Sequence, residues 1–364
     1  MRIGLVGCGN ICGAYLETLR SFPSVEVVMC ADLDPARARA AAEAFSIPRV
    51  GALEDVIDAD DVELVLNLTP PLAHADVTRA ALAAGKHVYV EKPLAVGLDE
   101  GVALLREADA RGLRIGCAPD TFFGRAWQTA RLLLDEGAIG KPIGGRATML
   151  TRGHESWHPD PEFFYRPGGG PLLDMGPYYL TTLVFLLGPI RRVSGLAQTG
   201  APFRVVGSGL REGSRFPVET ETHVAALVEH ENGAVVTLTM SYDARTEESS
   251  FELWGLEGTL ALADPNYFEG EIGLRGEGLE SFATVPPRAG PVDAARGFGL
   301  ADLAAAHDDG RPHRASGELG LHVLDAMTGI LVAAREGRVV EPASRVERPQ
   351  PITETEVERW RSAR

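Results

Sequence analysis

Short apolar runs alternate with helical patterns through roughly the first 120 residues, and that alternation leaves little choice beyond βαβ units around a parallel sheet. Strands are expected at residues 3–6, 25–31, around 49–50, 62–68, 87–90 and 113–117. Helices are expected between them at 10–21, 35–45, 72–84 and 98–110. Pro35 stands at one start, and Gly85 and Gly112 stand past two ends, where the backbone preferences of proline and glycine suit them. Six strands with crossovers of this length predict a doubly wound Rossmann fold.

The pattern changes after Pro119. A helix over 126–136 leads to a strand around 145–151, a loop rich in glycine, proline and aromatic residues from 153 to 171, and an apolar helix over roughly 176–187. Strand-like runs follow at 193–198, 223–231, 234–242, 251–254 and 259–263, with Glu231-Asn232-Gly233 as a hairpin turn between two of them. The last helix is read at 318–336, stopped by Gly337 ahead of a polar tail. The chain of 364 residues therefore reads as two domains. Residues 1–121 form a Rossmann dinucleotide-binding domain; residues 122–364 form an α+β domain whose open-faced, mostly antiparallel sheet carries helices on one side.

Composition narrows the class of partner. Hydrophobic residues at 45% and charged residues at 24% are ordinary for a globular chain with a proper core. No apolar run approaches the ~20 residues that span a bilayer, and the sequence opens directly on a strand, so a cytoplasmic location and no membrane partner are expected. Cys8, Cys12, Cys30 and Cys117 lack the spacing of a disulfide framework or a zinc site and read as reduced thiols. A net charge of −16 would repel a phosphate backbone, so nucleic acid is not an expected partner.

The loop after the first strand reads Gly7-Cys8-Gly9-Asn10-Ile11-Cys12. Gly7 permits a tight turn, Gly9 lets the backbone approach a pyrophosphate, and the helix start around Asn10 and Ile11 offers N–H groups to the anion. Cys12 occupies the third glycine position, small enough for close helix–strand contact, with Gly13 beside it. Asp32 ends the second strand, where a carboxylate meets the adenosine ribose hydroxyls and repels a 2′-phosphate. NAD is therefore favoured over NADP, with Arg37 the one nearby residue able to soften that choice.

Two further segments carry a family resemblance. The fourth strand runs into Asn67-Leu68-Thr69-Pro70-Pro71-Leu72-Ala73-His74, and the fifth into Glu91-Lys92-Pro93-Leu94. With a Gly-Gly-Gly-Pro-Leu-Leu-Asp-Met-Gly segment and the helix from Ser316 to Gly337, they resemble the glucose–fructose oxidoreductase/inositol dehydrogenase (Gfo/Idh/MocA) family over nearly the whole chain. The resemblance implies a nicotinamide oxidoreductase acting on a sugar, polyol or related cyclic alcohol, commonly as a dimer or tetramer. It implies that Lys92 is the active-site lysine, that the bond before Pro93 is cis, and that Asn67, Thr69, Pro70, His74 and Glu91 line the cofactor. A lysine suits the place, because partial desolvation lets it donate to, or relay a proton from, a substrate oxygen.

The family's second catalytic element is an Asp followed four residues later by a His. Asp174 matches the first position, but Tyr178 stands at the second, with Tyr179 next to it. Spacing by four turns both side chains to one face if the helix has begun, and Pro177 is tolerated only in a first turn, which puts the start close to Asp174. Asp174 alone also reads as a helix cap. Where many relatives carry a basic residue near the domain junction, this chain has Asp120, read as a contact on the nicotinamide side of the cleft.

His154-Glu155-Ser156-Trp157-His158 matches the zinc-protease pattern H-E-x-x-H, which works only on a helix. Gly153 before it and Pro159 and Pro161 after it oppose a helix, so no metal is expected. The segment reads better as a substrate loop. Trp157, Phe163, Phe164 and Tyr165 offer stacking faces, while His154, His158 and Arg166 offer donors to a polyhydroxylated ring. Either histidine is also able to take the place of the family histidine. Two other readings keep the fold: a non-catalytic NAD-sensing regulator, and a redox-neutral NAD-dependent glycosidase or lyase. Retention of both Lys92 and Asp174 argues against a pure binder.

Overall fold

In the computed structural model, which describes residues 1–278 and 280–362, the N-terminal segment alternates strand and helix. The elements are β1 (Arg2–Val6), α1 (Cys12–Leu19), β2 (Glu26–Ala31), α2 (Pro35–Phe45), β3 (Arg49–Gly51), α3 (Leu53–Asp58), β4 (Leu64–Asn67), α4 (His74–Ala83), β5 (His87–Val90), α5 (Leu98–Arg111) and β6 (Ile115–Cys117). The six strands pair in parallel in the order β3-β2-β1-β4-β5-β6, the doubly wound Rossmann arrangement. Strands buried on both faces must be apolar throughout, and β4 (Leu-Val-Leu-Asn) is wholly buried. The short helix α3 has no counterpart in the sequence reading, since six residues carry too little 3.6-residue period to register. Its Val56 packs so closely on β1 that a Cβ on Gly4 would come within 2.4 Å of Val56 Cγ1.

Residues 125–289 carry α6 (Arg125–Asp135), β7 (Pro142–Leu150), α7 (Pro171–Leu187), β8 (Ile190–Gln198), β9 (Phe203–Val205), β10 (Arg215–Pro217), β11 (His223–His230), β12 (Val235–Ser241), β13 (Glu248–Gly255), β14 (Gly258–Leu262), β15 (Ile272–Gly276) and β16 (Ala283–Val285). Eight of these strands form one sheet in the order β16-β15-β14-β13-β7-β12-β11-β8, antiparallel except where β12 runs parallel to β7. The apolar helix α7 packs on β7, β11 and β12. The sheet also bears exposed apolar side chains, among them Leu196, Leu227, Val235 and Trp254.

Helix α7 departs from the expected start near residue 176. It begins at Pro171, with Gly170 as N-cap at φ +89°, and the Asp174 amide already bonds the Gly170 carbonyl at 3.0 Å. Pro177 therefore lies inside the helix and not in its first turn. It has no N–H for the Leu173 carbonyl, and the helix continues because every residue from Gly176 to Leu187 is buried and packing outweighs the lost bond. Asp174 is not the cap.

The chain ends with α8 (Phe298–Asp308), α9 (Gly317–Glu336) and α10 (Glu354–Ser362), of which only α9 was anticipated. By length and composition α9 is apolar enough to cross a membrane, yet 67% of that stretch is buried in the fold. Two compact units result: 1–124 with 290–321 and 349–364, and 125–289 with 322–348. A single cut at 121/122 thus misses two returns of the chain to the first unit. The physical reason is an edge that needs cover: β6 is the last strand of its sheet, and the Cys117 amide bonds the Ala315 carbonyl while Gly116 bridges to Ser316.

Candidate active site

In the first unit the loop after β1 is shaped by two glycines with different constraints. Gly7 has φ +98°, and a Cβ there would meet the Leu68 carbonyl carbon and oxygen at 2.6 Å. At Gly9 a Cβ would meet nothing within 4 Å, so the backbone there borders open space. The N-cap of α1, Ile11, makes no side-chain cap, which leaves the helix N-terminus to an outside anion. Cys12, at the third glycine position, is buried. Asp32 is oriented by backbone: Oδ2 accepts from the Cys8 amide at 2.7 Å and Oδ1 from the Asp34 amide at 2.8 Å. Arg37 Nε lies 3.7 Å from Asp34 Oδ2. Leu33, which the sequence reading passed over, is fully exposed beside Asp32, an apolar surface where a purine base has a face to cover. These residues fit a dinucleotide: a cradle that a Cβ would fill, an uncapped helix start and an oriented carboxylate.

The residues after β4 and β5 form a tied network. Asn67 is wholly buried; its Nδ2 donates to the His74 carbonyl and Thr78 Oγ1, and its Oδ1 accepts from the Thr69 hydroxyl at 2.6 Å and the Thr69 amide at 3.3 Å. His74 is 1% exposed, with Nδ1 2.7 Å from the Pro93 carbonyl and Nε2 2.8 Å from the Thr69 carbonyl. Burial pulls its pKa below the ordinary histidine value, against the two carbonyls that favour the charged ring. Glu91 is also buried, Oε1 accepting from the Tyr15 hydroxyl at 2.7 Å and Oε2 from the Lys92 amide at 3.0 Å. Asn67, His74 and Glu91 were expected to line the cofactor. Their polar atoms bond within the protein, which also holds the loops that carry Thr69, Pro70 and Lys92. The Lys92–Pro93 bond is cis, as is Ala118–Pro119.

Asp120 is tied to a distant stretch of the same unit. It is buried, and its Oδ2 accepts from the Gly297 and Gly299 amides at 2.8 and 3.0 Å, which caps the N-terminus of α8.

The second unit gathers a polar cluster. His154 Nε2 lies 3.1 Å from Asp174 Oδ2, the Tyr242 hydroxyl donates to that same oxygen at 2.7 Å, and Nε2 and the hydroxyl are 3.0 Å apart. Burial beside Asp174 pushes the Tyr242 phenol well above its ordinary range. Nothing in the sequence marked Tyr242, because 68 residues separate it from Asp174 and only the folding of β12 beside β7 and α7 brings them together. Tyr178, four residues after Asp174 on α7, shares its face and is 6% exposed. Tyr179 points elsewhere, with its hydroxyl 2.8 Å from Ser249 Oγ.

The loop 153–171 is part substrate surface and part core. Trp157 and Phe163 are 60% and 50% exposed, whereas Tyr165, expected among the stacking faces, is fully buried against Phe216 and donates its hydroxyl to Glu155. Glu155 also pairs with Arg204, which reaches Asp243 on its other side. His158 Nδ1 accepts from the Asp160 amide at 3.0 Å, and Arg166 pairs with Glu162. Residues His154–Ser156 make a single 3-10 turn, so His154 and His158 do not share a helix face.

Residues 1–118 match the oxidoreductase family with an NAD-binding Rossmann fold, GFO_IDH_MocA, and residues 127–261 match the GFO/IDH/MocA C-terminal domain. A dTDP-3,4-didehydro-2,6-dideoxy-alpha-D-glucose 3-reductase of Streptomyces violaceoruber is 32% identical over 267 residues, 72% of each chain. A levoglucosan dehydrogenase of Pseudarthrobacter phenanthrenivorans is 28% identical, covering 72% of this chain and 73% of its own. Among solved structures, an NAD binding oxidoreductase from Klebsiella pneumoniae has the same fold, with a TM-score of 0.82 at 24% identity, covering 95% of this chain and 99% of its own.

Proposed function

The chain belongs to the Gfo/Idh/MocA family of oxidoreductases, and on that premise we propose that it oxidises or reduces a ring carbinol or carbonyl of a sugar, polyol or related cyclic substrate, with Lys92 assisting proton transfer. The observation that carries the substrate class is the cluster of His154, Asp174 and Tyr242, with Trp157 and Phe163 exposed in the same loop. Such a surface offers hydrogen bonds to ring hydroxyls and apolar faces to ring C–H groups. The relatives' named substrates, a dTDP-linked dideoxyhexose and levoglucosan, are both oxygenated rings.

The Rossmann domain is NAD-binding. Gly7, Gly9, Asn10 and Ile11 would hold the pyrophosphate and Asp32 the adenosine ribose. The nicotinamide, when bound, supplies a two-electron hydride acceptor or donor. Asp32 sets the choice of NAD over NADP, since its carboxylate repels a 2′-phosphate and Arg37 is near Asp34. Tyr178 would help to hold the substrate, and Asp174, on the same face of α7, would support the same proton transfer. We further place the chain in the cytoplasm, on its four free buried thiols, and propose a homodimer or homotetramer through the open sheet face.

Nicotinamide fluorescence on titration with NADH and then NADPH tests the cofactor, and a panel including levoglucosan and dTDP-hexoses tests turnover. NADH is expected to bind more tightly, and Lys92→Ala to cut kcat by about 100-fold or more while leaving NADH affinity within about twofold. Near-normal turnover by that variant would remove Lys92 from the mechanism. Product formed without net NADH would point to a redox-neutral reaction.

A further inference from the structure

His154 and Tyr242, side chains from outside α7, converge on Asp174. His154 comes from the loop after β7 and Tyr242 from the end of β12, and both meet Oδ2, at 3.1 and 2.7 Å. The imidazole is clamped by aromatic rings, with centroids 4.0 Å from Phe164, 4.7 Å from Tyr242 and 5.4 Å from Trp157. A carboxylate only accepts hydrogen bonds, so it fixes the imidazole proton on Nε2 and leaves the lone pair on Nδ1. Among the described residues nothing is hydrogen-bonded to Nδ1, and the His154 side chain keeps 15% of its surface exposed. Tyr242 stays a phenol, because burial beside Asp174 raises it, and its proton steadies the carboxylate.

Arg204 engages Glu155 and Asp243, and Glu155 also accepts from Tyr165. His158 Nδ1 is taken by the Asp160 amide. Asp174 is therefore the anion that faces the His154 ring. A carboxylate that orients a base and sets its tautomer is the logic of a catalytic triad.

We propose that His154 Nδ1 takes the proton of the substrate's reacting hydroxyl, with Asp174 and Tyr242 as positioning residues. His154 then supplies the imidazole absent at Tyr178. The inference rests on the reading of the chain as an oxidoreductase of ring carbinols. In the oxidative direction the O–H bond breaks and an N–H bond forms on Nδ1, while the C–O bond becomes a carbonyl and the hydride leaves with two electrons to the nicotinamide. Reduction returns the same proton from Nδ1 to the alkoxide oxygen.

The first test needs no ligand. Nitrogen-15 NMR of histidine-labelled protein, with His154 assigned by its loss in His154→Ala, should show the neutral ring protonated on Nε2. Asp174→Asn or Tyr242→Phe should move the proton partly to Nδ1. With an alcohol from the panel that is turned over, His154→Ala should lower kcat by about 100-fold or more with KM changed less than about threefold. Added imidazole should restore about tenfold of that loss, which a purely structural histidine would not allow. Tyr242→Phe should lower kcat by about tenfold. A wild-type ring protonated on Nδ1, or His154→Ala with kcat within about threefold of wild type while Lys92→Ala is inactive, overturns the proposal. Absence of turnover by the wild-type protein with every alcohol of the panel overturns the reading it rests on, which the NMR result does not touch.

Discussion

Asp120 shows how far burial alone can change a residue's chemistry. Its carboxylate is buried, Oδ2 accepts two amides, and Oδ1 has no hydrogen-bond partner among the described residues. Desolvation pushes its pKa up to about 6, although the Gly297 and Gly299 amides and Arg296 pull the other way. The unfolded chain holds that proton less tightly, with a pKa of about 3.9. The stability it contributes is therefore complete below about pH 4 and is lost as pH rises through about 6. Asp120→Asn keeps an acceptor for the amides and carries no charge. In urea unfolding the variant should gain about 2 kcal/mol on wild type between roughly pH 4 and pH 7.5. A difference that does not change over that range would mean that Asp120 is not titrating there. The sequence placed this aspartate at a domain junction but had no means of pairing it with glycines about 180 residues downstream, the separation at which loop closure leaves no local pattern.

At the scale of elements, the β1–loop–α1 unit was legible because strand, glycines and helix are local and each has a backbone reason. Its two glycines separate stability from binding. Gly7→Ala sets a Cβ against the Leu68 carbonyl at positive φ, where backbone cannot step aside, and should cost more than about 2 kcal/mol in a denaturant melt. Gly9→Ala meets nothing in the fold and should leave the melt unchanged. Its methyl group projects into the cradle, so NADH fluorescence titration should show about tenfold or weaker binding. Equal effects of the two variants on both readouts would contradict this division. Helix α7 was harder to read. Pro177 suggested a helix start, but Pro171 is the true first residue and burial of the helix carries it through the second proline.

At the scale of the molecule, the last segment belongs to the first unit. Trp360 of α10 is 3% exposed, lies 6.5 Å from the Phe22 ring and takes the Arg311 guanidinium over its face at 5.7 Å. Arg361 pairs with Asp293, and Arg314 joins Asp302 to Glu356. Trp360→Ala should therefore lower stability by about 3 kcal/mol, read by guanidinium unfolding followed by circular dichroism. A loss below about 1 kcal/mol would mean that the tail is an appendage and not part of the core.

What the sequence determined by itself was what near neighbours decide. Periodicity set the six parallel strands, turn residues set the hairpin at Gly233, and the placing of Asp32 beside the loop that opens at Gly7 followed from one βαβ unit. The family motif around Lys92 identified the class of chemistry, as did the alternation that builds the sheet. Tertiary structure alone decided which polar atoms are spent. Asn67, His74, Glu91 and Tyr165 carry ligand-binding chemistry on paper, yet their donors and acceptors are satisfied within the protein. His154, Asp174 and Tyr242 come from three separate segments and meet at one carboxylate oxygen. A buried polar group must find its partner wherever the fold supplies one, and that partner is under no obligation to lie nearby in the chain.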